Sequence, residues 1–341
     1  MKNYTILAIE SSCDEAAAAV YTTEKGILSS VLYSQTEEHT RYGGVVPEVA
    51  SRTHLRTINS VVQRALEEAQ VELSDINCIG VTNKPGLAGS LLIGLCFAKS
   101  IAWAQNIPII GVNHLEGHAF SSCIEHPVPF PHLCLTASGG HTSLYLVEDY
   151  GVWTTLGTTH DDAAGEAFDK IARFINLPYP GGPVIETLAQ KAGFVDYFGY
   201  PRTKLDGFNF SFSGLKTAVL YDLVKQGAYD MSTKRFIDQH NTQLQEQVSS
   251  SLLVCIGDIF SSTIERALKL YPQVKALTFV GGVACNKYLR SRFETVAHKN
   301  SLPLYIPSAK YCTDNAAMIG YVAHYKAQQD KFDSYDLDIH I

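Results

Sequence analysis

The chain has 341 residues, 46% of them hydrophobic and 18% charged, and 34 acidic against 27 basic side chains give a formal net charge of -7. That length exceeds what one hydrophobic core usually fills, so about two domains are expected, and the balance excludes a disordered or fibrous protein. A mildly acidic chain is not a stand-alone nucleic-acid binder, so any contact with nucleic acid needs a local basic patch or a partner's surface.

The opening MKNYTILAIESSCDE has too short an apolar run for a signal-peptide core, and no later stretch offers ~18 uncharged apolar residues. The eight cysteines are scattered without a C-x-x-C pair, which argues against zinc ribbons and disulfide frameworks. A cytoplasmic protein with reduced, mostly buried thiols is expected.

In chain order, TILAIE, AAAAVYT and ILSSVLYS read as a three-stranded antiparallel meander. From Pro47 to Gln70, Leu55, Ile58, Val62, Leu66 and Ala69 recur at three- and four-residue steps and predict an amphipathic helix. INCIGVT then reads as a buried strand, LAGSLLIGLCFAKSIAWAQN as a long helix and IPIIGV as another buried strand. Near residue 132 the pattern restarts with HLCLTAS, a Gly-Gly turn, TSLYLVED and GVWTTLGTT. A long helix from Gln239 to Leu270, the strand ALTFV and the turn GGVACN follow. Two strand-rich meanders, each followed by helices, predict a duplicated α/β unit with a ligand cleft between the halves.

His114 and His118 in VNHLEGHAF stand at i and i+4, so on a helix they share a face and can reach one ion. The pair directly follows a buried strand, and Asn113 is placed to cap the helix. Solvated or locally bonded histidines are the plainer reading of that spacing, and two ligands leave a metal site incomplete. In the zinc-protease pattern H-E-x-x-H the Glu follows the first His; here Glu116 lies two residues after His114, about 200° round the helix.

Ser138-Gly139-Gly140-His141 forms either a plain hairpin turn or one whose backbone amides approach a phosphate. Gly281-Gly282, between ALTFV and a helix starting near Asn286, is a second such turn. Asp161, Asp162, Glu166 and Asp169 crowd four carboxylates into HDDAAGEAFDK, the last three at helical i, i+4, i+7 spacing, as a solvated acidic face or a pocket wall. Asp14 and Glu15 are a turn pair or working carboxylates. Arg41, Arg52, Arg56 and Arg64, and the stretch from Lys287 to Lys299, are solvated helix faces or the first places to seek bound RNA.

Taken together, IESSCDE, VNHLEGHAF, SGGHT, DDAAGEAFDK, YPGGP, FSFSGLKTAV, GGVACN and YCTDNAAMIG, spanning about Ile9 to Gly320, resemble the bacterial TsaD branch of the universal tRNA threonylcarbamoyladenosine synthase family. The resemblance implies an α/β, actin-like, sugar-kinase-like fold of two duplicated lobes, about 1–131 with 315–341 and 132–314. It implies transfer of threonylcarbamoyl from threonylcarbamoyl-AMP to N6 of adenosine 37 in tRNAs reading ANN codons, with release of AMP. It also implies one divalent metal, iron or zinc, on His114, His118 and Asp314, and adenylate contacts from Ala137, Ser138, Gly139, Gly140, His141, Asp169, Gly182, Glu186 and Asn286. Asp14 and Glu15 match acidic positions important for transfer, and TsaB-like and TsaE-like partners are implied.

Three positions bear on the subfamily. Lys84 in KPGL stands where bacterial members usually have Gly, which questions the local turn or adds an RNA contact. Thr136 replaces the metal-binding Tyr of archaeal and eukaryotic relatives, and His141 their Asn; both are bacterial choices. The start of the chain shows no transit-like extension, which argues against the mitochondrial form. The rival classes are a metalloprotease, which the position of Glu116 disfavours, a kinase or ATPase of the same fold, which lacks an early Asp-x-Gly-Thr turn here, and a non-catalytic scaffold.

Overall fold

The computed structural model describes residues 2–238 and 241–341. The chain divides into two compact units, residues up to His126 together with Pro307–Ile341, and Pro127–Ile306.

In the first unit, β1 (Thr5–Glu10), β2 (Glu15–Thr22) and β3 (Gly26–Ser34) form the expected antiparallel meander. Helix α1 (Thr36–Thr40) and helix α2 (Pro47–Ala69) follow; α2 starts with proline at its first turn, where no amide partner is lost, and ends at Gln70 in the left-handed conformation. Strand β4 (Cys78–Lys84) adds parallel to β1, helix α3 (Ala88–Gln105) crosses over, and β5 (Ile109–Asn113) adds parallel to β4. The sheet order is β3-β2-β1-β4-β5. Strand β1 is buried at every residue from Ile6 to Glu10, the mark of a central strand covered on both faces. Helix α4 (His114–Phe120) leaves directly from the end of β5.

The second unit repeats that topology. Strands β6 (His132–Ala137), β7 (Thr142–Asp149) and β8 (Val152–Thr158) form an antiparallel meander. Helices α5 (Ala164–Phe174), α6 (Gly181–Lys191) and α7 (Ser213–Lys225) follow, then a small ribbon of β9 (Tyr229–Asp230) and β10 (Arg235–Phe236), and helix α8 (Thr242–Leu270). The start of α8 expected at Gln239 lies outside the described residues. Strand β11 (Ala276–Val280) joins parallel to β6, helix α9 (Lys287–Lys299) follows, and β12 (Leu304–Tyr305) joins parallel to β11, giving β12-β11-β6-β7-β8. Both sheets thus carry the same antiparallel meander extended by two parallel strands. The core of the second unit is aromatic: Phe260 of α8 meets Phe210, Phe212, Phe279 and Phe293 edge-on, and Phe279 stacks on Phe293 at 4.2 Å.

The chain returns to the first unit at Pro307, before the expected 315, and adds α10 (Ala309–Cys312) and α11 (Ala316–Gln328). Asp314 therefore belongs to the first unit, with the two histidines. Helix α11 packs on the sheet so closely that a Cβ at Gly80 would lie 2.6 Å from Ala323 Cβ. Helices α3 and α8 have the length and hydropathy of a membrane span; α8 is the buried core helix of its unit, and α3 carries Lys99. All eight cysteines are free thiols; four are buried and Cys96 is exposed.

His132, at the start of β6, is fully buried, donates through Nδ1 to the Pro129 carbonyl at 3.3 Å and stacks on Phe130. Burial pushes its pKa down from 6.5 to about 4. As pH falls from 6.5 to 4, the unfolded chain takes a proton that the folded chain refuses, so stability drops, by of order 3 kcal/mol in total, and levels off below 4. Urea unfolding at pH 7 and pH 4.5 checks this: His132→Gln should lose less stability between the two than the parent, and equal losses would refute it.

Candidate functional site

The end of β5 builds the centre of the site. Asn113 caps α4, its Oδ1 accepting from the Leu115 amide at 2.8 Å and the Glu116 amide at 3.4 Å, so His114 and His118 fall on one helical face. Both imidazoles are buried and cross edge-on, ring centres 4.6 Å apart. Asp314, four-fifths buried between α10 and α11, brings Oδ1 to 2.9 Å from His118 Nε2 and 3.6 Å from His114 Nε2. One ligand atom from each residue lies within 4.8 Å of the others, a spacing three ligands of one ion can adopt.

The opposite ring nitrogen of His114 is held from behind. Nδ1 sits 3.1 Å from Glu10 Oε2 and 3.0 Å from Ser12 Oγ. The Glu10 carboxylate also accepts from the Ser12 amide at 2.6 Å and the Thr82 hydroxyl at 2.5 Å. This is the carboxylate-histidine arrangement that fixes the tautomer of a metal ligand and raises its basicity. Burial works against a charged His114, yet the Asp314 and Glu10 carboxylates outweigh it and raise the imidazole to about 9. Burial likewise opposes the Glu10 charge, but His114 and the Ser12 side chain hold it below its usual range. The pocket therefore favours a positive charge. Glu10→Gln keeps the size but removes that charge, and should weaken metal affinity about tenfold to a hundredfold with secondary structure intact. Competition titration against a chelator measures it; unchanged affinity would dismiss the role of Glu10.

The turn at Lys84 is intact. Lys84 is exposed at the end of β4, the Leu87 amide donates to the Ser12 carbonyl at 2.7 Å, and a Cβ at Gly86 would meet that carbonyl at 2.5 Å. Gly86, not residue 84, is what the close approach requires. Glu116 turns toward α11, where Tyr325 donates to it and Lys326 pairs with it at 3.0 Å. A carboxylate so engaged is not a base for water on His114 and His118.

Asp14 ends the turn into β2 and Glu15 is the first residue of that strand. Burial first, then Asp314 and Asp14, push the Glu15 carboxyl well above its ordinary range. Cys13 beside them is raised for the same reasons, burial leading.

In the second unit, Ala137 ends β6, and Ser138 to His141 form a tight turn closed by the Ser138 amide to the His141 carbonyl at 2.8 Å and the His141 amide to Ser138 Oγ at 3.1 Å. The N-terminus of α5 rests on it, with the Gly165 amide on the Ser138 carbonyl at 3.1 Å. A Cβ at Gly139, Gly140 or Gly182 would meet nothing within 4 Å. Asp169 accepts from the Gly181 amide at 2.7 Å, Glu186 from the Lys287 amide at 2.6 Å, and Asn286 caps α9 through the Leu289 amide at 2.9 Å. The two carboxylates thus tie α5 to α6 and α6 to α9, and the Asn286 side chain caps α9.

The expected acidic stripe is corrected: α5 begins at Ala164, so Asp162 precedes the helix and meets Glu166 through Lys170, which pairs with both, rather than through a helical period. Asp162 instead binds Lys170 and Lys216, each at 2.7 Å, and Asp161 caps α7 through Ser211, Phe212 and Ser213. Part of each basic stretch is held in ion pairs, Arg52 with Glu48, Arg64 with Glu68, Arg292 with Asp258 and Lys299 with Glu265. Glu10, Ser12 and Gly86 are site residues that the sequence did not single out.

Two units of identical sheet topology define an actin-like, sugar-kinase-like fold. The same fold is seen in the (R)-2-hydroxyglutaryl-CoA dehydratase component A of Acidaminococcus fermentans (TM-score 0.52, 15% identity, 96% of this chain and 99% of that one). It is seen also in full-length HypF in its phosphate- and nucleotide-bound form (TM-score 0.61, 13% identity, 96% of this chain and 47% of that one). The chain belongs to the TsaD family of tRNA N6-adenosine threonylcarbamoyltransferases, whose model matches residues 26–321. Relatives bearing that name include proteins of Brachyspira hyodysenteriae, 42% identical over 98% of this chain and 94% of the relative, and Staphylococcus haemolyticus, 43% identical over 99% and 95%.

Proposed function

We propose that this chain transfers threonylcarbamoyl from threonylcarbamoyl-AMP to N6 of adenosine 37 in tRNAs reading ANN codons, releasing AMP, in the cytoplasm. The observation that carries the reading is the buried His114, His118 and Asp314 triad backed by Glu10, set in a chain of this family. Two imidazoles and a carboxylate suit iron or zinc. Such an ion supplies Lewis acidity toward the acyl or phosphate oxygens of a mixed anhydride.

The chain's own residues supply the rest. The donor is already activated, so orientation is the main requirement. Ala137 and the turn from Ser138 to His141 receive its phosphate and acyl end. Glycines that neither a positive φ nor packing requires leave that backbone open to close approach. Asp169, Gly182, Glu186 and Asn286 hold ribose and adenine. Glu15, its carboxyl raised by burial, holds a proton more tightly than an ordinary carboxyl, which favours Asp14 as the acceptor of the amine proton. With a net charge of -7 and several of its cations held in ion pairs, the chain holds tRNA with help from TsaB-like and TsaE-like proteins.

The test is transfer itself: the protein with its partners, synthetic threonylcarbamoyl-AMP and unmodified tRNA, read by nucleoside mass spectrometry. Modified adenosine from the parent and none from Asp14→Ala is the expected result. Hydrolysis of ATP or phosphorylation of a small molecule, without modified adenosine, would favour the kinase reading.

A further inference from the structure

Gln35, His39 and His54 are fully buried, and none of them takes part in the chemistry above. They gather behind the turn that carries Asp14 and Glu15. The Gln35 amide donates to the Asp14 carbonyl at 3.3 Å, and His54 Nε2 donates to the Cys13 carbonyl at 2.8 Å. His39 lies one turn of α1 after Gln35, its amide on the Gln35 carbonyl at 3.1 Å. Gln35 Nε2 donates to the carbonyl of Ala50, one turn before His54 on α2, at 3.4 Å. His39 also meets α2 directly, its Nδ1 accepting at 3.3 Å from the amide of Val46, the residue that caps the start of the helix carrying His54.

These bonds fix the chemistry of each remaining polar atom. A carbonyl can only accept, so His54 carries hydrogen on Nε2; burial disfavours its charged form, which leaves Nδ1 as a lone-pair acceptor. The Val46 amide donates to His39 Nδ1 at 3.3 Å, so His39 carries hydrogen on Nε2. The Ala50 bond takes the amide nitrogen of Gln35 and leaves Oε1 to accept. Gln35 Oε1, His39 Nε2 and His54 Nδ1 are all buried without a hydrogen-bond partner among the described residues.

One donor and two acceptors suit a single water molecule, using both of its hydrogens and one of its two lone pairs. A metal ion does not fit, because the His39 nitrogen is already protonated. An anion does not fit either, because two of the three atoms are acceptors.

We propose that Gln35, His39 and His54 enclose one structural water, and that this cluster holds the Cys13–Asp14 backbone so that Asp14 and Glu15 stand in working register. The second half rests on the reading of those carboxylates given above. The three are positioning residues: Gln35, through its own amide, and His54 bond the backbone of the turn, and His39 acts through them; a tilt of that peptide swings both carboxyl groups. A buried polar network with every partner satisfied specifies one geometry, which an apolar filling of the same space would not.

A crystal structure of the protein that resolves ordered waters tests the first half. The expected result is one water within about 3.2 Å of all three atoms. A direct His39 to His54 hydrogen bond, or a dry contact, would overturn it. For the second half, His39→Phe fills the space without a donor and His39→Gln restores one; Gln35→Met removes an acceptor should His39→Phe fail to fold. Single-turnover transfer should fall roughly tenfold in His39→Phe and recover in His39→Gln, with metal content and the KM for tRNA unchanged. Parent rates in His39→Phe and Gln35→Met, with Asp14→Ala inactive, would overturn the positioning role. Full activity in Asp14→Ala would instead reject the carboxylate reading and leave the water to be judged by its density.

Discussion

Asp314→Ala should leave a protein that folds, loses its metal on dialysis and transfers threonylcarbamoyl at least about a hundredfold more slowly. Without Asp314, two imidazoles on one helical face remain, short of the three protein ligands from which such sites are usually built. The electrostatics change as well. Asp314 is the foremost group raising His114 to about 9 against the pull of burial, so it makes the pocket attractive to a cation of any kind. Lewis-acid stabilisation is worth several kcal/mol, and about 3 kcal/mol already corresponds to the hundredfold loss. Elemental analysis of the dialysed variant and nucleoside mass spectrometry provide the two readouts. Metal at parent stoichiometry together with parent transfer would remove Asp314 from the ligand set. Asp314→Asn keeps the shape and drops the charge, so its residual metal content separates charge from geometry.

The sheets were legible because their strands are short apolar runs punctuated by turns, and a meander needs only local pairing. His114 and His118 were legible because four residues on a helix return to the same face. Asp314 was not, since it meets His118 across 196 positions of sequence and only the family resemblance pointed to it. Glu10, Ser12 and Gly86 were hidden for a related reason. Strands β1 and β4 pair in parallel, and the pairing brings the residues at and just after their ends together behind His114, a consequence of topology that no local spacing encodes. The acidic stretch misled because Asp162 fits a helical period, yet it precedes the helix and is used by Lys170 and Lys216. The exposed cation at Lys84 looked like a threat to its turn because sequence alone does not show that the close approach is made two residues later.

Glu116 illustrates how the same helix excludes a competing chemistry. A metalloprotease base must reach the water on the metal. Here the carboxyl points to the opposite side of α4, is buried, and is satisfied by Tyr325 and Lys326. Breaking that buried pairing by removing one partner costs about 3 kcal/mol or more, so the residue contributes to the docking of α11. Because Asp314 lies just before α11, secure docking of that helix also helps to hold its carboxylate beside His114 and His118.

Gly165→Ala should impair use of the adenylate by about a hundredfold while leaving metal content untouched. Gly165 lies in the first turn of α5, and its amide bonds the Ser138 carbonyl at 3.1 Å. A Cβ there would stand 2.6 Å from that carbonyl oxygen and 2.8 Å from Gly139 Cα, both backbone atoms that cannot swing aside as a side chain would. On the other side, Gly281 has φ +91° and packs against Ala137, so the turn is clamped and must shift as a whole. A displacement of about 1 Å in a group that orients an activated donor is enough for a hundredfold loss. Steady-state transfer against adenylate concentration measures it: kcat/KM should fall, with the metal site in the other unit unaffected. Parent kcat/KM would mean that the turn from Ser138 to His141 is a hairpin and nothing more.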